Sequence, residues 1–130
     1  MNQTSKLIEI CYLAQTFCQG HKTKLTDNEM KVLFFVEQYS NVSPQILISK
    51  LGLAKSKLAL LTKNLIQKQL ICSHPSLSDR RAITFSTTAQ GKEVVKTYIA
   101  TLSKLVRPEE MSENLIVGID QVCSFLNKKV

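Results

Sequence analysis

The stretch Ser43–Gln69, SPQILISKLGLAKSKLALLTKNLIQKQ, decides the fold. Ser43 can cap a helix, and Pro44 suits the first helical position because the N–H it lacks is one that a helix leaves unpaired there. Ile46, Leu47 and Leu51 are the apolar positions of a helix of about eight residues, and Gly52 ends it. After the turn Gly52-Leu53-Ala54, the spacing predicts a longer helix over 55–69. Leu58, Leu61 and Leu65 form its buried stripe, with Ile66 beside it, while Lys55, Ser56, Lys57, Lys63, Asn64 and Lys68 occupy its other surfaces. A short capped helix, a tight glycine turn and a second helix with a polar, basic outer face make a helix-turn-helix.

Downstream, 70–74 and 82–86 read as two short strands flanking the polar loop Pro75-Ser76-Leu77-Ser78-Asp79-Arg80-Arg81. This predicts a β-hairpin with a basic tip, the wing of a winged helix. Thr87 or Thr88 caps a helix reaching about Arg107, whose apolar face includes Val94, Val95, Tyr98, Ile99 and Leu102. Pro108 marks a break. Glu109, Glu110 and Glu113 suit the first turn of a last helix, near its positive end, and Leu115, Ile119, Val122 and Leu126 give that helix its stripe.

Upstream, Thr26-Asp27-Asn28-Glu29 is a capping box, opening a helix with Met30, Leu33, Phe34 and Val36 inward and an end near 39–41. A first helix is expected over 5–20, with Leu7, Cys11, Ala14 and Cys18 on one face, Ile8, Ile10 and Phe17 widening it, and Gly20 as C-cap; Lys22 and Lys24 lie in the connection.

A chain of 130 residues fits one domain, and 44% hydrophobic content suffices for a core. With 4 Gly and 3 Pro, the chain should be mainly α, with the hairpin as its β-structure. No apolar run approaches the roughly 20 residues that span a bilayer, and the opening residues lack a signal pattern, so a cytoplasmic protein is expected. Cys11, Cys18, Cys72 and Cys123 form no CxxC pair. Neither a metal site nor a cofactor is expected, and buried, reduced thiols are the default. Cys11 and Cys18 lie ~10 Å apart along a helix, too far for a disulfide.

The charge is concentrated. Between Ser43 and Lys92 stand eight basic residues and one acid, Asp79, and the rest of the chain is balanced, so this segment holds the entire net charge of +7. A basic segment on a balanced protein presents itself to a polyanion, most often nucleic acid. A helix fits the major groove, where Lys, Ser and Asn reach base edges or phosphates. An Arg at a hairpin tip can enter the minor groove, and either Arg80 or Arg81 can fill that role. Asp79 is expected to order the wing by a bidentate pair with one of them. The plainer readings are a solvated helix face and a surface ion pair worth little.

LTDNEMKVLFFVEQ, SPQILISKLGLAKSKLALLTKNLIQKQLI and DRRAITFSTTAQGKEV together resemble the MarR family of winged-helix transcription regulators over about residues 25–95. The D-x-R wing, the LG turn and the T-x-x-G after the second strand are the most specific elements. The resemblance implies a single domain, 1–130, in which 25–92 form the winged helix-turn-helix DNA-binding lobe and 1–24 and 93–130 form dimerisation helices. It implies a homodimeric, ligand-responsive, sequence-specific regulator of double-stranded DNA, a repressor, answering to a small aromatic or amphipathic effector. Contacts to DNA would then fall on Gln45, Lys55, Ser56, Lys57, Leu60 and Lys63, and on Arg80 or Arg81 in the wing. Some members sense oxidants through an N-terminal cysteine, and Cys11 is the residue in that place, although no basic residue lies within one helical turn of it to lower its pKa. Leu60 stands where the family often has a polar residue and can contact only thymine methyls. Asn64 replaces a common Arg, and Gln69 a common Gly at the turn into the first strand. Ser73 and His74 replace more basic residues, and Thr87 a usual Leu.

Two other classes remain open at this point. A winged-helix protein-interaction module without specific DNA binding would suit an exposed Leu60. An enzyme would have to rest on Cys72 and His74, two apart in a strand, with no acid or oxyanion motif beside them; the chain reads as no enzyme.

Overall fold

The computed structural model of the chain describes residues 2–19 and 23–130. The expected cap at Gly20 and the basic residue Lys22 lie outside the described residues. The order of elements is α1 (Gln3–Cys18), α2 (Asp27–Gln38), α3 (Pro44–Leu51), α4 (Lys55–Gln67), β1 (Ile71–Pro75), β2 (Ile83–Thr87), α5 (Ala89–Ser103), a 3-10 turn (Pro108–Glu110) and α6 (Glu113–Lys129). A mainly α chain with a two-stranded antiparallel wing is the winged helix-turn-helix architecture read from the sequence.

Local chemistry accounts for most boundaries. At α2, the Thr26 hydroxyl accepts from the Glu29 N–H at 3.2 Å, and Glu29 Oε1 accepts from the Thr26 N–H at 3.0 Å, closing both arms of the capping box. Ser43 Oγ accepts from the Ile46 N–H to start α3, and Gly52, at φ +63°, ends it. Thr88, of the two threonines considered, caps α5 by accepting from the Gly91 N–H. Four ends differ from expectation, the first being α4, which stops at Gln67 with Lys68 as its C-cap rather than at 69. Helix α5 stops at Ser103 rather than near Arg107, and α6 starts at Glu113 because Ser112 supplies a cap, its hydroxyl accepting from the Leu115 N–H. Glu109 and Glu110 therefore belong to the 3-10 turn, and Glu113 alone sits in the first turn of α6. Helix α1 starts at Gln3, because Asn2 caps it.

The core lies between residues 30 and 95. Val32, Leu33, Val36, Val42, Leu47, Leu65 and Ile71 are fully buried, and Met30, Leu58, Leu61, Leu70, Phe85 and Val95 complete the cluster. Helix α2 packs against α3, α4, α5 and β2. Its inward face holds Val32, while Phe34, expected inward, is half-buried, because it turns toward a cavity described below. The hairpin register pairs Cys72 with Ser86 and His74 with Thr84. An isolated bridge adds Val42 to the sheet: Val42 and Phe85 exchange N–H···O bonds of 3.0 and 2.8 Å. The wing is thereby stitched to the segment joining α2 to α3.

The junction between α4, β1 and α5 is the tightest point. Gln69 takes the left-handed conformation, φ +62°. The Leu70 N–H donates to the Leu65 carbonyl and the Gln69 N–H to the Ile66 carbonyl, a Schellman end built without the usual glycine. Thr88 returns to this turn, its hydroxyl donating to the Gln69 carbonyl at 2.7 Å and its N–H to the Leu70 carbonyl at 3.0 Å. Gly91 then lies so close that a Cβ there would sit 2.1 Å from the Leu70 carbonyl oxygen. The T-x-x-G signature is thus a hydroxyl clamp followed by a backbone approach that leaves no room for a side chain.

The terminal helices are a different matter. No residue of α1 or α6 is buried. The chain exposes 9652 Å² at 14.6 kDa, against about 6,900 Å² for a compact monomer of that mass.

Two substitutions at the junction should behave oppositely. Gly91→Ala forces backbone apart and is expected to cost about 3 kcal/mol in denaturant unfolding. Gln69→Gly relieves a left-handed L-residue and is expected to stabilise, by less than about 1 kcal/mol.

Candidate nucleic-acid interface

The eight basic residues of the central segment divide into two groups. Three are engaged inside the molecule. Lys50 Nζ donates to the Asn127 carbonyl and side-chain oxygens at 3.2 and 3.1 Å, tying α3 to the end of α6. Lys68 Nζ pairs with Glu29 at 3.0 Å, and Lys92 Nζ with Glu37 at 3.3 Å. Glu37 also accepts from the Thr87 hydroxyl at the base of the wing. The other five, Lys55, Lys57, Lys63, Arg80 and Arg81, are exposed and form no ion pair among the described residues. These are the basic residues named from the sequence as DNA contacts. None of the three long-range pairs was read from it, because 39 and 55 residues separate Lys68 and Lys92 from their carboxylates and no local pattern marks such distances.

The start of α4 is electrostatically unusual. Its N-cap is Ala54, which offers no side-chain acceptor, and its first turn holds no acid. A helix N-terminus carries partial positive charge, and acids are the residues that suit it. Here Lys55 and Lys57 stand there instead. Two ammonium groups and uncapped N–H donors in one exposed turn leave the site wanting an anion. Ser56 is exposed between them, Leu60 is 53% exposed one turn on, and Lys63 continues the face. Gln45 is exposed near the start of α3.

The wing tip is ordered by its own polar groups. The Ser76 N–H donates to the Ala82 carbonyl, and the Ser78 N–H to the Ser76 hydroxyl. Asp79 Oδ1 accepts from the Arg81 backbone N–H at 3.0 Å. The bidentate pair expected between Asp79 and a guanidinium is therefore replaced by a backbone turn: two residues' separation suits an Asx turn, and both guanidinium groups stay in solvent. Leu77, at the apex, is wholly exposed, which the sequence reading did not single out.

Glu29 holds α4 at its C-cap, Lys68. Burial acts to raise its pKa. The hydrogen bonds from the Thr26 backbone and the Lys68 ammonium outweigh this and hold the carboxyl below its usual value of 4.5.

A cavity of about 940 Å³ opens on the other side of α2, among α1, α5 and the start of α6. Phe34, Phe35, Tyr98, Ile99, Leu102 and Met111 line it. The Tyr98 hydroxyl donates to the Cys18 carbonyl at 3.5 Å, and burial, with Cys18 adding to it, pushes the phenol above its usual pKa. Cys11 is half-buried in the cavity wall. The expectation of buried thiols fails elsewhere: Cys18, Cys72 and Cys123 are free and exposed. Cys18 and Cys123 ride on helices none of whose described residues is buried. Cys72 lies on the outer side of the wing, its sulfur 3.3 Å from the Ser86 hydroxyl. His74 Nε2 is buried without a hydrogen-bond partner, so no Cys–His couple forms in β1. Among the described residues no cluster suits a metal ion and no helix is long and apolar enough to cross a membrane.

Residues 25–83 match the model of the MarR family, which bears out the resemblance read from the sequence. No curated protein sequence matches the chain. Among solved structures, FabT of Streptococcus pneumoniae, crystallised in complex with DNA, is 20% identical; the match covers 98% of this chain and 94% of that one, with a TM-score of 0.62. The transcriptional regulator SlyA is 18% identical over 95% of this chain and 92% of that one, TM-score 0.70. The regulator Tm0710 of Thermotoga maritima is 22% identical over 96% and 91%, TM-score 0.64. At these identities the likeness is one of fold.

Because the folded pKa of Glu29 lies below its unfolded one, its contribution to stability is present above pH 4.5 and is lost as pH falls through the folded value. Thermal midpoints measured from pH 7 downward should hold until about that point and then drop. In Lys68→Met the ammonium that lowers this pKa is gone, so the drop on acidification should be smaller than in the wild type.

Proposed function

We propose that this chain, which carries the MarR-family segment over residues 25–83, is a sequence-specific DNA-binding transcriptional regulator that works as a homodimer. The observation that carries the reading is the first turn of α4, with no side-chain cap, free of acid and bearing Lys55 and Lys57, beside a wing whose two arginines form no ion pair among the described residues. Such a turn is unfavourable in isolation and favourable against phosphate. Helix α4 enters the major groove, Lys55, Ser56, Lys57 and Lys63 meet backbone and base edges, and Leu60 packs on thymine methyls. Arg80 or Arg81 reaches the minor groove from the wing, with Asp79 keeping its turn in shape, and Gln45 touches backbone from α3. Phosphate contacts supply most of the affinity and the base contacts the register.

The unburied apolar faces of α1 and α6, with the excess surface they expose, support dimerisation through the terminal helices. Two copies then place two α4 helices on successive major grooves. The cavity has the size and apolar lining of a small-molecule site, and it supports an aromatic or amphipathic effector. Occupation of promoter DNA requires nothing beyond this binding face, which fits a repressor in the cytoplasm. Cys11, in the cavity wall, is the thiol through which an oxidant would reach the same site.

A second reading, docking on an acidic protein, is favoured by the exposure of Leu60 and of Leu77, since bare leucines suit a protein interface better than a phosphate surface.

Titration of the purified protein against the DNA upstream of its own gene, beside a scrambled duplex and at several salt concentrations, separates the two. Preference for the native duplex with a steep salt slope is expected; equal, weak binding to both would sink the DNA reading. Lys57→Ala should lower that slope by about one unit and weaken binding to both duplexes alike. Arg80→Ala or Arg81→Ala should weaken specific binding about tenfold without lowering the melting temperature; if neither does, the wing is not a contact. Sedimentation should give about twice 14.6 kDa.

A further inference from the structure

Helix α2 faces two ways. Asp27, Met30, Lys31, Phe34 and Phe35 line the cavity. Glu29, two residues from Asp27 and so on the far side of the helix, points instead to the end of α4. Its carboxylate is 3% exposed as a residue, serves the capping box with Oε1, and receives Lys68 Nζ on both oxygens at 3.1 and 3.0 Å. Lys68 is the C-cap of α4 and directly precedes the strained Gln69 turn on which Thr88 and Gly91 close. One side chain thus joins the first turn of a cavity-lining helix to the last turn of the helix that carries Lys55, Lys57 and Lys63.

We propose that the Glu29–Lys68 ion pair is a positioning contact that sets the pose of α4, and that occupation of the cavity reaches the DNA-reading face through it; the second half rests on the DNA-binding reading above. The geometry supplies the lever. A ligand seated against Met30 and Phe34 displaces the N-terminal turn of α2. The capping box makes Glu29 follow that turn, since Thr26 and Glu29 are bonded in both directions. Lys68 must then follow Glu29 or lose it, and a carboxylate left buried without its ammonium is costly. Either response re-aims or loosens the C-terminal turn of α4. The wing is held to the same helix, through Glu37 and Thr87, so both DNA-reading elements refer their position to α2.

Glu29→Gln isolates the pair. A Gln at this position keeps the acceptor that caps Thr26 but offers Lys68 no charge. It also raises the net charge by one unit, so simple Coulomb attraction would tighten DNA binding. The positioning role demands the reverse, a loss of about fivefold in specific affinity with the salt slope unchanged. Hydrogen exchange on the full-length protein reads the pose directly. Amides over residues 64–70 should exchange about tenfold faster in Glu29→Gln than in the wild type. Anilinonaphthalene sulfonate, an amphipathic aromatic anion, serves as the cavity probe. In the wild type it should protect residues 30–35 and speed exchange over 64–70; in Glu29→Gln it should still protect 30–35 but add nothing at 64–70. The double variant Glu29→Gln/Lys68→Met leaves no orphan charge and should show the same loosened α4, and Lys68→Arg, which keeps the ion pair with Glu29, should retain the wild-type pattern. The proposal is overturned if Glu29→Gln leaves 64–70 unchanged, if the probe acts equally on both proteins, or if it fails to protect 30–35. If the wild type does not discriminate its own DNA from a scrambled duplex, the regulatory reading fails, and the exchange experiment still decides the role of the pair.

Discussion

Every element facing the proposed DNA surface takes its position from the burial of Val32, Leu33 and Val36 on α2. Three side chains of one helix form the floor on which α3, α4, β2 and α5 rest. Leu47 meets them from α3, Leu65 from α4 and Phe85 from β2. A helix so placed must also settle its polar ends in a setting poor in water. The capping box does this at the N-terminus, and Glu37 spends its charge on Lys92 and Thr87 near the other end. Burial and polar satisfaction agree there, which is what specifies one arrangement over its neighbours.

How far this was legible in the sequence depended on distance along the chain. The capping box at Thr26–Glu29, the Ser43-Pro44 start and the Gly52 turn are written in residues three or four apart, and they fold as read. The hairpin was shifted by one residue at each strand, since alternation marks a strand better than its ends. The pairs Glu29–Lys68, Glu37–Lys92 and Lys50–Asn127 join segments far apart in sequence and were not readable. Asp79 was assigned the wrong partner for a simpler reason: an acid beside two arginines suggests an ion pair, whereas the nearest donor is a backbone N–H. Exposure of Cys18 and Cys123 was missed because a periodic apolar face implies burial without saying by whom.

The division of the basic residues alters what the net charge means. Lys68 and Lys92 are held by carboxylates of α2 and Lys50 by Asn127 of α6, which leaves five basic side chains of the segment without such a contact among the described residues. They fall in two places, one helix and one hairpin, and a duplex touching both must present a major groove and an adjacent minor groove at a fixed separation.

The bridge from Val42 to Phe85 bears on how such a lobe can change over time. An isolated two-stranded hairpin is marginal in water. Here its inner half is pinned by Phe85 in the core and by the Val42 pairing, while its outer half is closed by hydrogen bonds among residues 76–82 and adds no residue to the core cluster. Residues 77–81 can thus gain, lose or exchange side chains at little expense to the core. Variation of the wing tip is thereby uncoupled from foldability, and the exposed surface there can change without a matching loss of stability.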